Sequence, residues 1–229
     1  MSDLFCDVES GMFQNLKEQA NVQRGNFFMF FTNSKRFKKY FLAILIGLPT
    51  WYVIGILVNY SNRFAKEFYG DNHIESGKAI MYAYAAIAIG DILVGLLSQY
   101  FKSRKKALLS FYILCIAGLF LFFSQYNNSD ARMYAICAFL GFSTGFWAIF
   151  VTMGAEQFGT NLRASAAVSI PNIVRAGVVP LTFAFRSISP TLSPVLTVAV
   201  LSTACVAIAM IALWSLQETF GKDLDYLEE

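Results

Sequence analysis

The chain has 229 residues, of which 56% are hydrophobic, 16% are aromatic and only 14% are charged. A soluble domain of this length rarely combines so little charge with 23 Phe and 11 Tyr, so the composition favours a membrane protein over a water-soluble fold. The net charge of +3 is small, which argues against a nucleic-acid partner.

Residues 1–39 are polar, with scattered aromatic residues, and form the first predicted segment. Its opening carries acidic residues where a signal peptide needs a basic region and an apolar stretch, so we do not expect a secretory leader. The basic and aromatic stretch 24–39 either rests on anionic lipid headgroups or is the ordinary charged flank of the next helix.

Six apolar runs follow, each about 20 residues long, which is the length of helix that crosses about 30 Å of hydrocarbon. The runs are Phe41–Tyr60, Ala79–Tyr100, Ala107–Gln125, Tyr134–Gly154, Ala164–Phe185 and Val195–Leu216. Only helices and closed barrels satisfy every backbone group in lipid, and these runs lack the alternation of barrel strands. We therefore predict an all-α membrane protein with six transmembrane helices over residues 40–217.

Basic residues predict the orientation, because positively charged loops are retained inside the cell. The flank before the first run contains Arg24, Lys35, Arg36, Lys38 and Lys39. The loop Lys102–Lys106 carries four basic residues and no acid, whereas segments 61–78 and 127–132 have mixed charge. We expect a multi-pass protein of the plasma (inner) membrane with both termini in the cytoplasm and a cytoplasmic tail at 218–229.

Two charged residues fall inside the predicted membrane-spanning helices, Asp91 in the second and Arg175 in the fifth. A charge in hydrocarbon is costly, so both side chains should face protein or water. They either recognise substrate and couple protons or form a static ion pair, and both interpretations stay open. Asn172, between Pro171 and Gly177, is a further candidate because helix-breaking residues can line a cavity.

Aromatic residues with polar tips provide more cavity candidates, namely Trp51, Tyr52 and Trp147. Indole faces suit sugar rings and organic cations, yet aromatic residues also pack helices, so either role is open. The spacing of Gly141 and Gly145 favours close helix packing.

The groups that enzyme chemistry needs are not found in the sequence. The one histidine, His73, falls in a predicted outside loop, and three of the four cysteines lie in apolar runs with no metal-ligand spacing. No nucleophile has a plausible base. We predict that the chain is not an enzyme and holds no metal and no cofactor.

Three short motifs resemble the major facilitator superfamily of transporters. In the first, Gly95 and Ser98 lead into the sequence SRKKAL, with Gln99 at the position of the family's acid and Lys102 at that of its turn glycine. The resemblance implies that the glycine allows close helix packing. It also implies that Arg104 and Lys105 help to close a cytoplasmic gate.

The second motif, AEQFGTNLRAS at 155–165, is similar to the loop between the tenth and eleventh helices of sugar-porter-like members. Glu156, Thr160 and Arg163 match, and Gly159 replaces a proline. We expect the Glu156 carboxylate to pair with Arg104 or Lys105 of the basic loop in one conformation and to release it in another.

The third motif, ETFGKDLDYLEE from residue 218, resembles the tail after the twelfth helix of the same branch. Gln217 replaces a proline and Phe220 a lysine. The residues that match are Glu218, Thr219, Gly221, Leu224 and Glu228.

The resemblance covers about residues 40–229 and corresponds to helices seven to twelve. It implies that this chain is the carboxyl half of a transporter whose amino-terminal six-helix half is a missing partner, with residues 1–39 as the connection. The implied function is transport of a small organic solute by alternating access, with proton symport as a candidate. Two alternatives stay open: a six-helix transporter that acts as a homodimer, and a structural or regulatory membrane subunit that does not transport.

Overall fold

A computed structural model of the protein describes residues 25–70, 73–125, 129–222 and 226–228. Within these ranges the chain is helical and has no strand. Six helices are long and apolar enough to cross a membrane, which confirms the predicted fold class: Ser34–Val58, Ser76–Phe101, Arg104–Phe123, Asp130–Glu156, Thr160–Ile188 and Pro194–Ser215. We call them the first to the sixth span. Arg24 and Leu224 lie outside the described residues.

Several spans are built from shorter helical pieces. The pieces are α1 (Met29–Thr32), α2 (Ser34–Tyr52), the π-helical segment (Val53–Val58), α3 (Ser61–Tyr69), α4 (Ser76–Phe101), α5 (Arg104–Phe123), α6 (Asp130–Ser143), α7 (Trp147–Glu156), α8 (Thr160–Ala176), α9 (Val178–Ile188) and α10 (Pro194–Ser215). The first span is α2 with a π-helical continuation, the fourth is α6 with α7, and the fifth is α8 with α9.

Capping side chains explain why the spans begin where they do. The first span starts at Ser34, earlier than the predicted residue 40, because the Asn33 side chain accepts a hydrogen bond from the Lys35 amide at 2.9 Å. Ser103 does the same for the third span, since its hydroxyl accepts from the Lys106 amide at 3.2 Å. Hydropathy marks the apolar part of a helix, so polar first turns are missed.

The second span ends in a tight turn at Lys102, whose φ of 49° is left-handed. The Ser103 amide donates to the Ser98 carbonyl at 3.3 Å across this turn. Glycine is the usual residue at such a position, because a left-handed conformation costs other residues about 1 kcal/mol. Lys102 therefore adopts a conformation for which glycine is the usual residue, at the turn position of the first motif.

Glycines let the second and fourth spans touch backbone to backbone. A Cβ at Gly141 would lie 2.3 Å from the Ala83 carbonyl oxygen, and one at Gly145 would lie 2.6 Å from that of Ile87. The close packing predicted from this glycine spacing is confirmed. Gly95 has no such close approach within the described chain, because a Cβ there would meet nothing within 4 Å, and the close packing expected at this position stays a prediction.

Buried apolar side chains form a core in each end of the bundle, one around Phe64 and Phe122 and the other around Tyr40 and Phe158. The spans differ in how far they contribute to this interior. In the most apolar stretch of the first and fourth spans 61% of residues are buried, but only 17% in the second and fifth. The second and fifth spans therefore leave most of their apolar surface facing outward.

Candidate functional site

Polar segments that are far apart in sequence meet at one end of the bundle. They are the flank before the first span, the loop after the second span, the loop after the fourth span and the tail after the sixth. We call the bonds among them the end network.

An ion pair between Arg104 and Glu156 is the centre of the end network. The guanidinium donates from Nε and from Nη2 to the two carboxylate oxygens of Glu156, each at 2.6 Å. The two side chains are only 16% and 10% exposed. The expected pair between Glu156 and the basic loop is thus present, and it uses Arg104, whereas its role as a gate stays a prediction.

Lys105, the other predicted partner of Glu156, has a different role. Its Nζ donates to the carbonyls of Trp214 at 3.1 Å and Leu216 at 2.8 Å, at the end of the sixth span. A cation there binds carbonyl groups that have no partner within their helix. The pairing of Glu156 with Lys105, the second option from the sequence, is therefore not the one observed.

Glu218 binds the beginning of the third span. Its carboxylate accepts hydrogen bonds from the amides of Arg104 at 3.0 Å and Lys105 at 3.2 Å, and from the Ser103 hydroxyl. Two amides of its own tail also donate to it. Burial raises the pKa of this carboxyl, but these hydrogen bonds outweigh burial and hold the pKa below its ordinary value. The motif identified Glu218, but not that it caps a helix.

The rest of the tail is bound to the loop after the fourth span. Asn161 and Glu228 exchange two hydrogen bonds, from the Asn161 amide side chain to the Glu228 carbonyl and from the Glu228 backbone amide to Asn161 Oδ1, both 3.0 Å. The Tyr226 hydroxyl donates to the Gln157 carbonyl at 3.0 Å. Burial and the nearby Glu228 charge raise the pKa of Tyr226.

Two further contacts belong to the end network. Lys39 Nζ lies 3.2 Å from Glu228 Oε1 and so connects the flank of the first span to the tail. Arg163 Nη2 donates to the Phe158 carbonyl at 3.5 Å. Sequence reasoning placed Arg163 at the gate but missed the contacts of Lys39, Asn161 and Tyr226, which join segments up to 189 residues apart.

The remaining two gate candidates lie on the second span. Ser98 is fully buried, and its hydroxyl has no hydrogen-bond partner among the described residues. Gly95, one turn earlier, faces open space. Neither belongs to the end network, since both lie before the turn at Lys102.

A cavity of about 240 Å³ lies further along the bundle and joins the first, second, fourth and fifth spans. We call it the central cavity. Four predicted site residues line it: Trp51, Asp91, Trp147 and Arg175. Thr50 and Tyr84, which the sequence did not single out, line it as well.

Asp91 binds the beginning of a helix inside the bundle. The fourth span is interrupted between Ser143 and Trp147, and Asp91 Oδ1 accepts a hydrogen bond from the Ala148 amide at 3.0 Å. A carboxylate beside the positive end of a helix is stabilised without a cationic side chain. No ion pair joins Asp91 to Arg175 in the described part of the chain, so the static pair is not the observed arrangement.

Arg175 lies over an aromatic ring instead. Its guanidinium carbon is 5.0 Å from the centroid of the Trp51 ring, which is a cation–π contact. The Trp51 and Trp147 rings are 5.8 Å apart and nearly perpendicular, at 81°. The Trp51 indole N–H is buried and has no acceptor among the described residues. One cation and two indole rings therefore share the cavity.

Two predicted cavity residues lie elsewhere. Tyr52 is 1% exposed and its hydroxyl donates to the Val198 carbonyl at 2.7 Å, because it is one residue on from Trp51 and so faces the sixth span. The Asn172 side-chain amide donates to the Val168 carbonyl of its own helix at 2.8 Å. Its polar group is thereby satisfied locally and does not line the cavity.

No family profile, no curated protein and no solved structure matches the chain. The described residues contain no cluster of three or more His, Cys, Asp or Glu side chains that could hold a metal ion. The interpretation of the site therefore depends on the geometry above and on the sequence motifs.

Proposed function

We propose that the chain is the carboxyl half of a secondary transporter of the major facilitator type, which moves a small organic solute across the membrane by alternating access. The observation that supports this function is the central cavity, in which Asp91 and Arg175 lie within apolar spans beside two indole rings.

The charges in this cavity indicate that this side of the bundle faces water and another protein body, and not lipid. Arg175 is exposed in the chain as it stands, and a guanidinium in hydrocarbon is expensive. The second and fifth spans also keep wide apolar surfaces outward. A second six-helix body placed over this side would enclose the cavity and cover those surfaces, and we propose the amino-terminal half as that body.

The end network supplies a candidate latch at the cytoplasmic side. The Arg104–Glu156 pair joins the start of the third span to the end of the fourth. If it opens, the loops can separate. Asp91 is the carboxylate that a proton-coupled cycle would use. We place the end network and both termini in the cytoplasm because its loops carry the basic residues.

A transport assay tests this function. The DNA upstream of the chain would be examined for six further spans, and proteoliposomes would contain either the chain alone or the chain with that half. We expect uptake of one labelled class among a sugar, a sugar acid and an aromatic acid by the pair only. Arg175→Gln should abolish this uptake.

Arg186→Gln is the matched control, because Arg186 is in the same span but bonds Tyr60 at 3.2 Å, away from the cavity. Uptake by the chain alone, together with a crosslinked dimer, would support a homodimeric transporter instead. No uptake in either arrangement would contradict transport and leave the structural or regulatory subunit.

A further inference from the structure

We infer that the solute of the central cavity is a small organic anion, a carboxylate attached to a planar apolar group. This inference depends on the proposed function, because it names the class of solute for the same site.

The two charged side chains of the cavity, Asp91 and Arg175, differ in their partners. Asp91 is already stabilised, since its carboxylate accepts a hydrogen bond from the Ala148 amide at the beginning of α7. Arg175 has no carboxylate partner among the described residues, and its guanidinium carbon lies 5.0 Å from the centroid of the Trp51 ring. A guanidinium presents donors in a fork that fits a carboxylate. The cavity therefore holds one cation that an anionic ligand can neutralise.

A second donor points to the same chemistry. The Trp51 indole N–H is buried without an acceptor among the described residues, and an unpaired buried donor is unfavourable. Indole nitrogen can only donate. Trp51 and Arg175 therefore both carry donor groups in the wall of one cavity, and a ligand that pairs with the exposed guanidinium must offer acceptor oxygens.

The remaining walls define the rest of the ligand. The two perpendicular indole rings form apolar surfaces against which a planar group can pack. Thr50 already donates to the Thr144 carbonyl at 3.4 Å, so few side chains remain to bind several sugar hydroxyls. The volume on this chain is about 240 Å³, and the second half that we propose would supply the remaining walls of the site.

Binding of benzoate to the full chain in detergent tests this inference, with benzyl alcohol and benzylamine as neutral and cationic probes of the same shape. Quenching of tryptophan fluorescence would report binding in a Trp214→Phe background, since Trp214 is exposed and outside the cavity. We expect benzoate to bind about tenfold more tightly than either other probe, a difference of about 1.4 kcal/mol, because only benzoate carries a carboxylate that the guanidinium can bind.

Variants locate the binding to the cavity. Arg175→Gln should weaken benzoate binding about tenfold or more, and Arg175→Lys should restore part of it because the charge remains. Arg186→Gln is the matched control and should leave binding unchanged. Asp91→Asn should not weaken benzoate binding, because no anion has to pair with that carboxylate. Circular dichroism and gel filtration of each variant would verify folding.

Other outcomes overturn the inference. They are equal binding of benzoate and benzyl alcohol, tighter binding of benzylamine, benzoate binding that Arg175→Gln leaves intact, or no saturable benzoate binding by the folded chain and by its complex with the other half. Arginine-dependent benzoate binding without uptake would contradict the transport function but keep the anion site. Uptake of a neutral sugar without benzoate binding would support the transport function but contradict the anion site.

Discussion

The end network and the central cavity place charged groups in apolar surroundings and satisfy them differently. In the network, Arg104, Lys105, Glu156 and Glu218 are all bonded to other parts of the described chain. In the cavity, the Arg175 guanidinium has no carboxylate partner among the described residues and lies over the Trp51 ring. The charged groups of the network are paired within the chain, whereas the exposed guanidinium of the cavity stays available to another molecule.

This difference distinguishes polar groups that stabilise the fold from polar groups that bind a ligand. Groups that hold a fold together have their partners in the same chain, since an unpaired buried polar group lowers stability. Groups that bind a ligand keep donors available at some cost in stability. Mutation should therefore change stability at the network and binding at the cavity.

The largest expected effect on stability is at the Arg104–Glu156 pair. Glu156→Gln should lower the free energy of unfolding by about 3 kcal/mol, because it leaves a largely buried guanidinium without its anion. Arg175→Gln, the matched change in the cavity, should alter it by less than about 0.5 kcal/mol. Unfolding in detergent, followed by circular dichroism, measures both. Similar losses of unfolding free energy in the two variants would contradict the conclusion that the network stabilises the fold and the cavity arginine does not.

A smaller effect, with a pH signature, is expected at Glu218. Its folded pKa lies below the ordinary value, so the folded state favours the ionised carboxylate. That stabilisation is complete above the ordinary pKa of about 4.3 and is lost as the pH falls through the lower folded value. Glu218→Gln should therefore cost about 1–2 kcal/mol at pH 7 and progressively less below about pH 4.

Unfolding curves at several pH values, for the wild type and for Glu218→Gln, would measure the difference. Glu67→Gln is a control on α3, outside the end network. A stability difference that stays constant down to low pH would show that Glu218 stabilises the protein by something other than its charge.

The smallest effect is expected where the network is most open to solvent. The Lys39 side chain is 35% exposed, so Lys39→Gln should cost about 0.5 kcal/mol through its pair with Glu228, and added salt should reduce the cost. Unfolding at low and high salt tests this. A loss of stability as large as that of Glu156→Gln would mean that the exposure of an ion pair does not determine how much it stabilises the protein.

The spans could be predicted because they are encoded locally, and the main ion pair could be predicted although its residues are 52 positions apart. A run of about 20 apolar residues is visible in the sequence, and the resemblance placed Glu156 with the basic loop. The interruption of the fourth span was not predicted, since Thr144, Gly145 and Phe146 differ little in hydropathy from their neighbours. Without that interruption, the bond of Asp91 to the Ala148 amide could not be foreseen.

The sequence also did not predict which way each side chain faces around its helix. Trp51 and Tyr52 are adjacent and similar, yet one lines the cavity and the other packs against the sixth span. Hydropathy does not distinguish them. The tail contacts were missed because Lys39 and Glu228 are 189 residues apart in sequence, and no local pattern connects them.

The contact of Gly141 and Gly145 with the backbone of the second span has a mechanical consequence. Where two main chains touch directly, no side chains lie between them that could change rotamer and let one helix slide past the other. We therefore expect the second and fourth spans to move together in any motion of this bundle. Trp147, which follows the fourth span's break, would be carried with Asp91 as one rigid wall, so only the first and fifth spans could change the width of the space between them.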